Sequence, residues 1–187
     1  MTNIGIILGS TRPGRVGHQV AEWVAKHGSQ LDSLDVEVVD IKDYSLPVFD
    51  EPQSPLLGSY AHPHTREWSQ KIAEFDGYVF VTPEYNRSIP SALKNAIDYL
   101  YGEWNNKAAG FVSYGSNVGG ARAVEHLRLI TAGLQLAGVR TQVSLSLATD
   151  FAAFTTFTPG DHHNAMLHRL FAEVTGWADA LAPLRRP

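Results

Sequence analysis

Ile4-Gly5-Ile6-Ile7-Leu8-Gly9-Ser10-Thr11-Arg12-Pro13-Gly14-Arg15-Val16-Gly17 opens the chain and decides how the remainder is read. Ile4 to Leu8 is short, β-branched and uncharged, as a fully buried strand should be. Gly9 to Gly17 is a polar turn with three glycines. Val16, Val20, Trp23, Val24 and His27 then recur at helical spacing, with Gly28 as a stop signal. A strand, a glycine-rich turn and a helix in that order bring unpaired backbone N–H groups and the positive end of a helix dipole to one point, where an anion is held. Two arginines and two hydroxyls in the same turn make phosphate the expected guest.

The rest of the chain repeats this alternation. A second strand is expected over Val36 to Ile41, so the opening unit is β-α-β with a right-handed crossover and parallel strands. Residues 42 to 64 break the rhythm with Pro47, Pro52, Pro55, Gly58 and Pro63. A connection of that length is a candidate lid or oligomer contact, or a plain surface excursion. Helical spacing resumes from about Thr65 to Phe75, and Gly77 introduces a third strand, Tyr78 to Val81. After Thr82 to Pro90 a helix runs from Ser91 to about Tyr101. A fourth strand, Ala108 to Ser113, opens into Tyr114 to Gly120 and a helix to about Leu136. A fifth strand lies near Val139 to Leu147, and a closing helix runs from Asp161, its expected N-cap, to Leu181.

Five buried strands alternating with five helices specify a doubly wound α/β sheet with helices on both faces, for which 2-1-3-4-5 is the natural strand order. Ligands of such sheets bind beyond the carboxyl ends of the strands, where the winding reverses. The three polar loops after strands 1, 3 and 4 all fall on that edge.

Composition narrows the chemistry. The 187 residues suffice for one domain, 1–187, burying roughly two-thirds of its unfolded surface. Without cysteine there is no disulfide, thiolate metal site or thiol catalysis, so redox chemistry has to come from a bound cofactor. No leader or apolar span stands out, which makes a cytoplasmic protein the expectation, with no membrane partner. A net charge of −4 with scattered basic residues gives no nucleic-acid footprint, and Arg185-Arg186 reads as a solvated tail. His62-Pro63-His64 and His162-His163 lack the carboxylate company of a metal site, so no metal is expected. Trp23, Trp68, Trp104 and Trp177 are read as core or interface residues.

The first loop fails two common fingerprints. Gly9 and Gly14 have the spacing of a P-loop, but Arg15 and Val16 replace its lysine and hydroxyl. Gly9-Ser10-Thr11 lacks the second glycine of the dinucleotide fingerprint, and Asp40 comes about ten residues late for the ribose-binding acid. A monophosphate suits the loop better than a diphosphate. Pro83 to Ser88 offers backbone groups, an aromatic ring and an amide to a flat ring with polar edges. Ser113 to Gly120 offers Tyr114 and three glycines that admit close backbone approach. A ring between two such loops with a phosphate in the first is flavin mononucleotide (FMN) in outline.

Through Gly9-Ser10-Thr11-Arg12, through Pro83-Glu84-Tyr85-Asn86 with Ile89-Pro90 and Leu93-Lys94-Asn95-Ala96-Ile97-Asp98, and through Gly119-Gly120-Ala121-Arg122, the chain resembles the NAD(P)H-dependent FMN reductases of flavodoxin-like fold. That family includes quinone, chromate and azo-dye reductases, and the resemblance runs from Ile4 to about Leu136. It implies that Ser10, Arg12, Arg15, Val16, Gly17 and His18 hold the FMN phosphate. Pro83, Glu84, Tyr85 and Asn86 would line the isoalloxazine and ribityl chain, and Ser113, Tyr114, Gly115 and Gly119 would meet the ring from the other side. Many relatives carry serine where Arg15 stands and asparagine where Gly17 stands. Tyr85 and Arg87 are candidate contacts on the acceptor and NADPH side.

The resemblance further implies a ping-pong cycle in which NADPH or NADH reduces FMN and a quinone, free flavin, azo compound or metal oxyanion reoxidises it. Backbone N–H groups of the Ser113 to Gly120 loop would meet the charge that builds on the ring. No side chain is assigned as an obligatory acid or base. A homodimer or homotetramer is expected, with loop 42–64 and the region Tyr101 to Trp104 at contacts. The alternative reading is a flavodoxin-like electron carrier, or a flavin-binding sensor, without NAD(P)H turnover of its own.

Overall fold

In the computed structural model, which describes residues 1–185, strands β1 (Thr2–Leu8), β2 (Leu34–Asp40), β3 (Gly77–Pro83), β4 (Lys107–Gly115) and β5 (Leu136–Ser146) form one parallel sheet. Their order is β2-β1-β3-β4-β5, with Ile6 opposite Val38 on one side and Val79 on the other. Every residue of β3 and β4 is buried, as central strands covered on both faces require, whereas the edge strands β2 and β5 are partly exposed.

Helices cover both faces. On one side α1 (Gly17–Gly28) and the final helix α5 (His162–Leu181) pack Val20, Val24, Leu170, Phe171 and Val174 against Ile4, Ile6, Val79 and Val112. On the other, α2 (Pro63–Ala73), α3 (Ser91–Asp98) and α4 (Ala121–Gly133) bury Trp68, Ile72, Leu93, Ile97 and Leu127 against Ile7, Phe80 and Phe111. No described helix is long and apolar enough to cross a membrane.

Several boundaries depart from the spacing. Helix α3 stops at Asp98 instead of about Tyr101, because Tyr99, Leu100 and Trp104 turn inward through a 3-10 turn at Gly102–Trp104. Trp104 is wholly buried and donates through Nε1 to the Ile97 carbonyl at 3.2 Å, so it belongs to the core. Helix α4 ends at Gly133, before the expected Leu136, which instead starts β5. Asp161 stands at the N-cap of α5, but its side chain makes no capping hydrogen bond. Arg185 is no solvated tail: its guanidinium donates to Asp76 Oδ1 at 2.9 Å and to the carbonyls of Asn106 and Ala178 at 3.0 Å. Arg186 lies outside the described residues.

The connection 42–62 lies along α3 as a strap. Asn95 holds it from both ends of its amide, Nδ2 donating to the Pro47 carbonyl at 2.6 Å and Oδ1 accepting from Phe49 N at 2.9 Å. Glu51 accepts from Ala61 N and His62 N at 2.8 and 3.1 Å, and Tyr99 donates its hydroxyl to Asp50 at 2.8 Å. His62 and His64 stack at 5.1 Å, with His64 Nε2 3.0 Å from Asp50. Among the described residues no three such side chains are grouped to hold a metal.

Candidate functional site

The loops after β1, β3 and β4 meet at the carboxyl edge of the sheet around a cavity of about 350 Å³. The fourth side of that cavity is a segment the sequence did not single out, the connection between β5 and α5.

The first loop presents donors. Gly9 N donates to the Val81 carbonyl at 2.9 Å, which fixes the exit from β1. The N–H groups of Thr11, Arg12 and Gly14 have no acceptor among the described residues, and α1 starts with neither a side-chain cap nor an acidic residue in its first turn. Such a terminus leaves its N–H groups and dipole for an anion. Arg12 is exposed, makes no ion pair among the described residues, and lies 6.0 Å from the Tyr85 ring centroid. Arg15 is turned the other way, onto the Asp40 carboxylate, at 2.8 Å from Oδ1, and onto the Ser10 carbonyl. Asp40, rejected as a ribose ligand from its spacing, thus neutralises one of the two loop arginines.

Ser10 is buried, its hydroxyl 2.9 Å from the Tyr85 hydroxyl. Val16 lines the cavity. Gly17 packs against Tyr114, where an added Cβ would stand 2.5 Å from the phenol oxygen, so a larger residue there requires the Tyr114 ring to move. His18 is exposed, with Nδ1 3.0 Å from the Arg15 carbonyl.

Pro83, Glu84 and Tyr85 reach the cavity from the second loop. Glu84 N donates to the Tyr114 carbonyl at 3.0 Å, joining the second and third loops. The Glu84 side chain is 7% exposed, and Oε1 accepts from Arg122 Nε at 2.6 Å, but buried Oε2 has no partner among the described residues. Tyr85 and Ser88 exchange backbone hydrogen bonds of 2.9 and 3.0 Å across Asn86 and Arg87, both at positive φ. Asn86 and Arg87 therefore occupy an exposed tip outside the cavity lining, and do not converge with the other predicted residues.

Tyr114 and Gly115 line the cavity from the third loop, together with Ser116. Burial pushes the Tyr114 phenol well above its ordinary pKa, so it stays protonated and donor-competent. Ser113 and Gly119 act behind this wall: the Ser113 hydroxyl donates to the Gly119 carbonyl at 2.7 Å, closing the turn.

Leu147, Phe154 and Thr155 complete the wall. Leu147 directly follows β5, and Phe154 and Thr155 come from a hairpin of two very short strands, β6 (Phe151–Ala152) and β7 (Thr156–Phe157). Its tip residues Ala153 and Phe154 have φ of 50° and 60° without a glycine between them, so the usual turn signal is missing from the sequence. The recurrence of phenylalanine at 151, 154 and 157 was the available hint.

A model of the family described as NADPH-dependent FMN reductase matches residues 2–150. An NAD(P)H-dependent FMN reductase of Schizosaccharomyces pombe is 41% identical over 147 residues, covering 78% of this chain and 73% of that protein. Another from Nectria sp. is 37% identical over 169 residues, covering 86% and 83%. Among solved structures, the flavoenzyme NAD(P)H:(acceptor) oxidoreductase FerB of Paracoccus denitrificans superposes with a TM-score of 0.72 at 24% identity, over 96% of this chain and 98% of that one.

Proposed function

Because this chain belongs to the NADPH-dependent FMN reductase family, we propose that it holds FMN in the cavity between its β1, β3 and β4 loops and passes electrons from NAD(P)H to a quinone or related acceptor. One observation carries the reading: backbone donors and an arginine that have no partner among the described residues stand on the first loop, at a cavity that the second and third loops also line. The chemistry of this set suits FMN at both ends. The phosphate matches the uncapped start of α1 and Arg12, while Pro83, Glu84 and Tyr85 from one loop and Tyr114, Gly115 and Ser116 from the next line the space left for the ring.

Bound FMN supplies the two-electron relay between nicotinamide and acceptor. Arg12 and the first N–H groups of α1 would hold its phosphate. Arg15, fixed by Asp40, keeps the loop in the shape that exposes them. Ser10 and Tyr85 fix one another through their hydroxyls, so the second loop is positioned from the first. Tyr114, protonated and buried, closes one wall of the cavity over Gly17. Gly115 and Ser116 of the loop after β4 line the same cavity, and backbone N–H groups of that loop would oppose negative charge on a bound ring. No side chain in the cavity has to give or take a proton for this chemistry, and donor and acceptor use the same open side in turn, a ping-pong order.

The exposed apolar residues Val48, Leu56 and Leu57 on the strap support assembly into a dimer or tetramer, which sedimentation at several concentrations reads out. The central test mixes purified protein, FMN, NADPH or NADH and a quinone panel. Loss of nicotinamide absorbance with parallel-line kinetics is expected, and no loss with any acceptor would remove the reductase reading.

A further inference from the structure

The hairpin β6–β7 lies beyond residue 150, where the family match ends, and it is built more firmly than a surface connection needs. At its base, the Asp150 carbonyl accepts from Thr158 N at 2.8 Å, Asp150 Oδ2 from Ser146 N at 2.8 Å, and His163 Nε2 lies 3.0 Å from Oδ1. Beneath it, Phe151 packs against Tyr114 and Phe157 at 6.0 and 5.1 Å, and Phe157 against Trp23 at 5.5 Å. Gln19, in the first turn of α1, grips its second strand from both ends of one amide: Nε2 donates to the Thr155 carbonyl at 2.8 Å and Oε1 accepts from Phe157 N at 2.9 Å. The hairpin is therefore fastened to the first turn of α1, directly after the loop in which the N–H groups of Thr11, Arg12 and Gly14 have no acceptor among the described residues.

The tip points the other way energetically. Ala153 and Phe154 are held in left-handed conformations that side-chain-bearing residues disfavour. Phe154 is 66% exposed, so its ring is not placed there by burial, and it shares the lining of one cavity with Arg12, Gly14 and Val16. The strained tip thus puts an exposed phenyl ring into the lining of the cavity, on a hairpin tied through Gln19 to the first turn of α1.

We propose that this hairpin sets the flavin specificity of the site, Phe154 obstructing the way out past the first phosphate so that the ligand ends there. FAD is FMN extended at that phosphate by an adenylate, and the extension would have to cross the space taken by Phe154 and Thr155. The inference rests on the FMN reading of the cavity and adds the element that selects the monophosphate.

Flavin-stripped wild type, Phe154→Ala and Gln19→Ala are titrated with FMN and with FAD, following quenching of flavin fluorescence. Wild type should prefer FMN by at least about tenfold, and each variant should narrow that ratio about tenfold by gaining FAD affinity, the usual scale for one side chain's steric discrimination. Phe154 is exposed, so its truncation leaves folding unaffected, and thermal unfolding of both variants checks this. An unchanged FAD-to-FMN ratio in both variants, or a wild type that binds both flavins alike, overturns the inference while leaving the FMN site standing. A wild type that binds neither flavin removes the FMN reading itself, and the inference with it.

Discussion

Arg122 Nε stands 2.6 Å from Glu84 Oε1, across from the start of α4 to the loop after β3, and leaves Oε2 of the same buried carboxylate without a partner among the described residues. The arginine compensates the charge without consuming the second oxygen. Arg122→Ala should leave that carboxylate uncompensated. Because the Arg122 side chain is 34% exposed, solvent screening limits the stability loss to about 1–2 kcal/mol, below that of a fully buried pair. Glu84→Gln removes the charge and should destabilise less, yet both variants should bind FMN more weakly. Urea unfolding and fluorescence titration separate the two effects, and wild-type FMN affinity in both would exclude a ligand role for Glu84.

The strand order and the three converging loops were legible because they depend on local pattern: apolar runs for β1, β3 and β4, and glycine or proline where each ends. The helix ends were less so, since Tyr99, Leu100 and Trp104 keep helical composition while tertiary burial pulls them into the core. Pairings at long range had no local signal. Nothing in Arg15 or Asp40 announces that 25 residues of chain bring them together, and the same holds for Glu84 and Arg122. The hairpin tip at Ala153 and Phe154 adopts positive φ without glycine or asparagine, so its turn chemistry is invisible before folding.

The two loop arginines should separate by phenotype. Arg12 has no ion-pair partner among the described residues, so Arg12→Ala should weaken FMN binding about tenfold or more, the scale of one charge-assisted hydrogen bond, with little change in Tm. Arg15 is engaged by Asp40 and the Ser10 carbonyl, so Arg15→Ala should lower Tm as well as FMN affinity. Equal Tm losses in the two variants would contradict the division of roles.

Gly119 closes the turn after β4 at φ +59°, with the place of a Cβ 2.8 Å from Ser144 C and 2.9 Å from Leu145 N. Both obstacles are backbone of β5 and cannot rotate away. Gly119→Ala should therefore cost about 2 kcal/mol or more, combining left-handed strain with a clash, and should displace the acceptor of the Ser113 hydroxyl. Denaturant unfolding gives the stability loss, and flavin titration should show weaker binding in the protein that remains folded.

Lys107, at the opposite end of the sheet, supplies a pH signature independent of the flavin. Its Nζ is buried, donating to the Ile72 carbonyl at 3.0 Å and to the Tyr78 hydroxyl at 2.9 Å. Burial, with Arg185 nearby, lowers its pKa to about 8 from an ordinary 10.5, against the opposing pull of Asp76 and Glu103. Between those two values the unfolded chain binds more protons at this site than the folded one, so stability rises with pH across the window. Lys107→Met has no such group, and the other titrating residues are common to both proteins. Unfolding free energies at pH 7.5 and pH 10 should show wild type gaining about 2 kcal/mol on the variant. A constant difference between the two proteins would mean that Lys107 keeps its ordinary pKa in the fold.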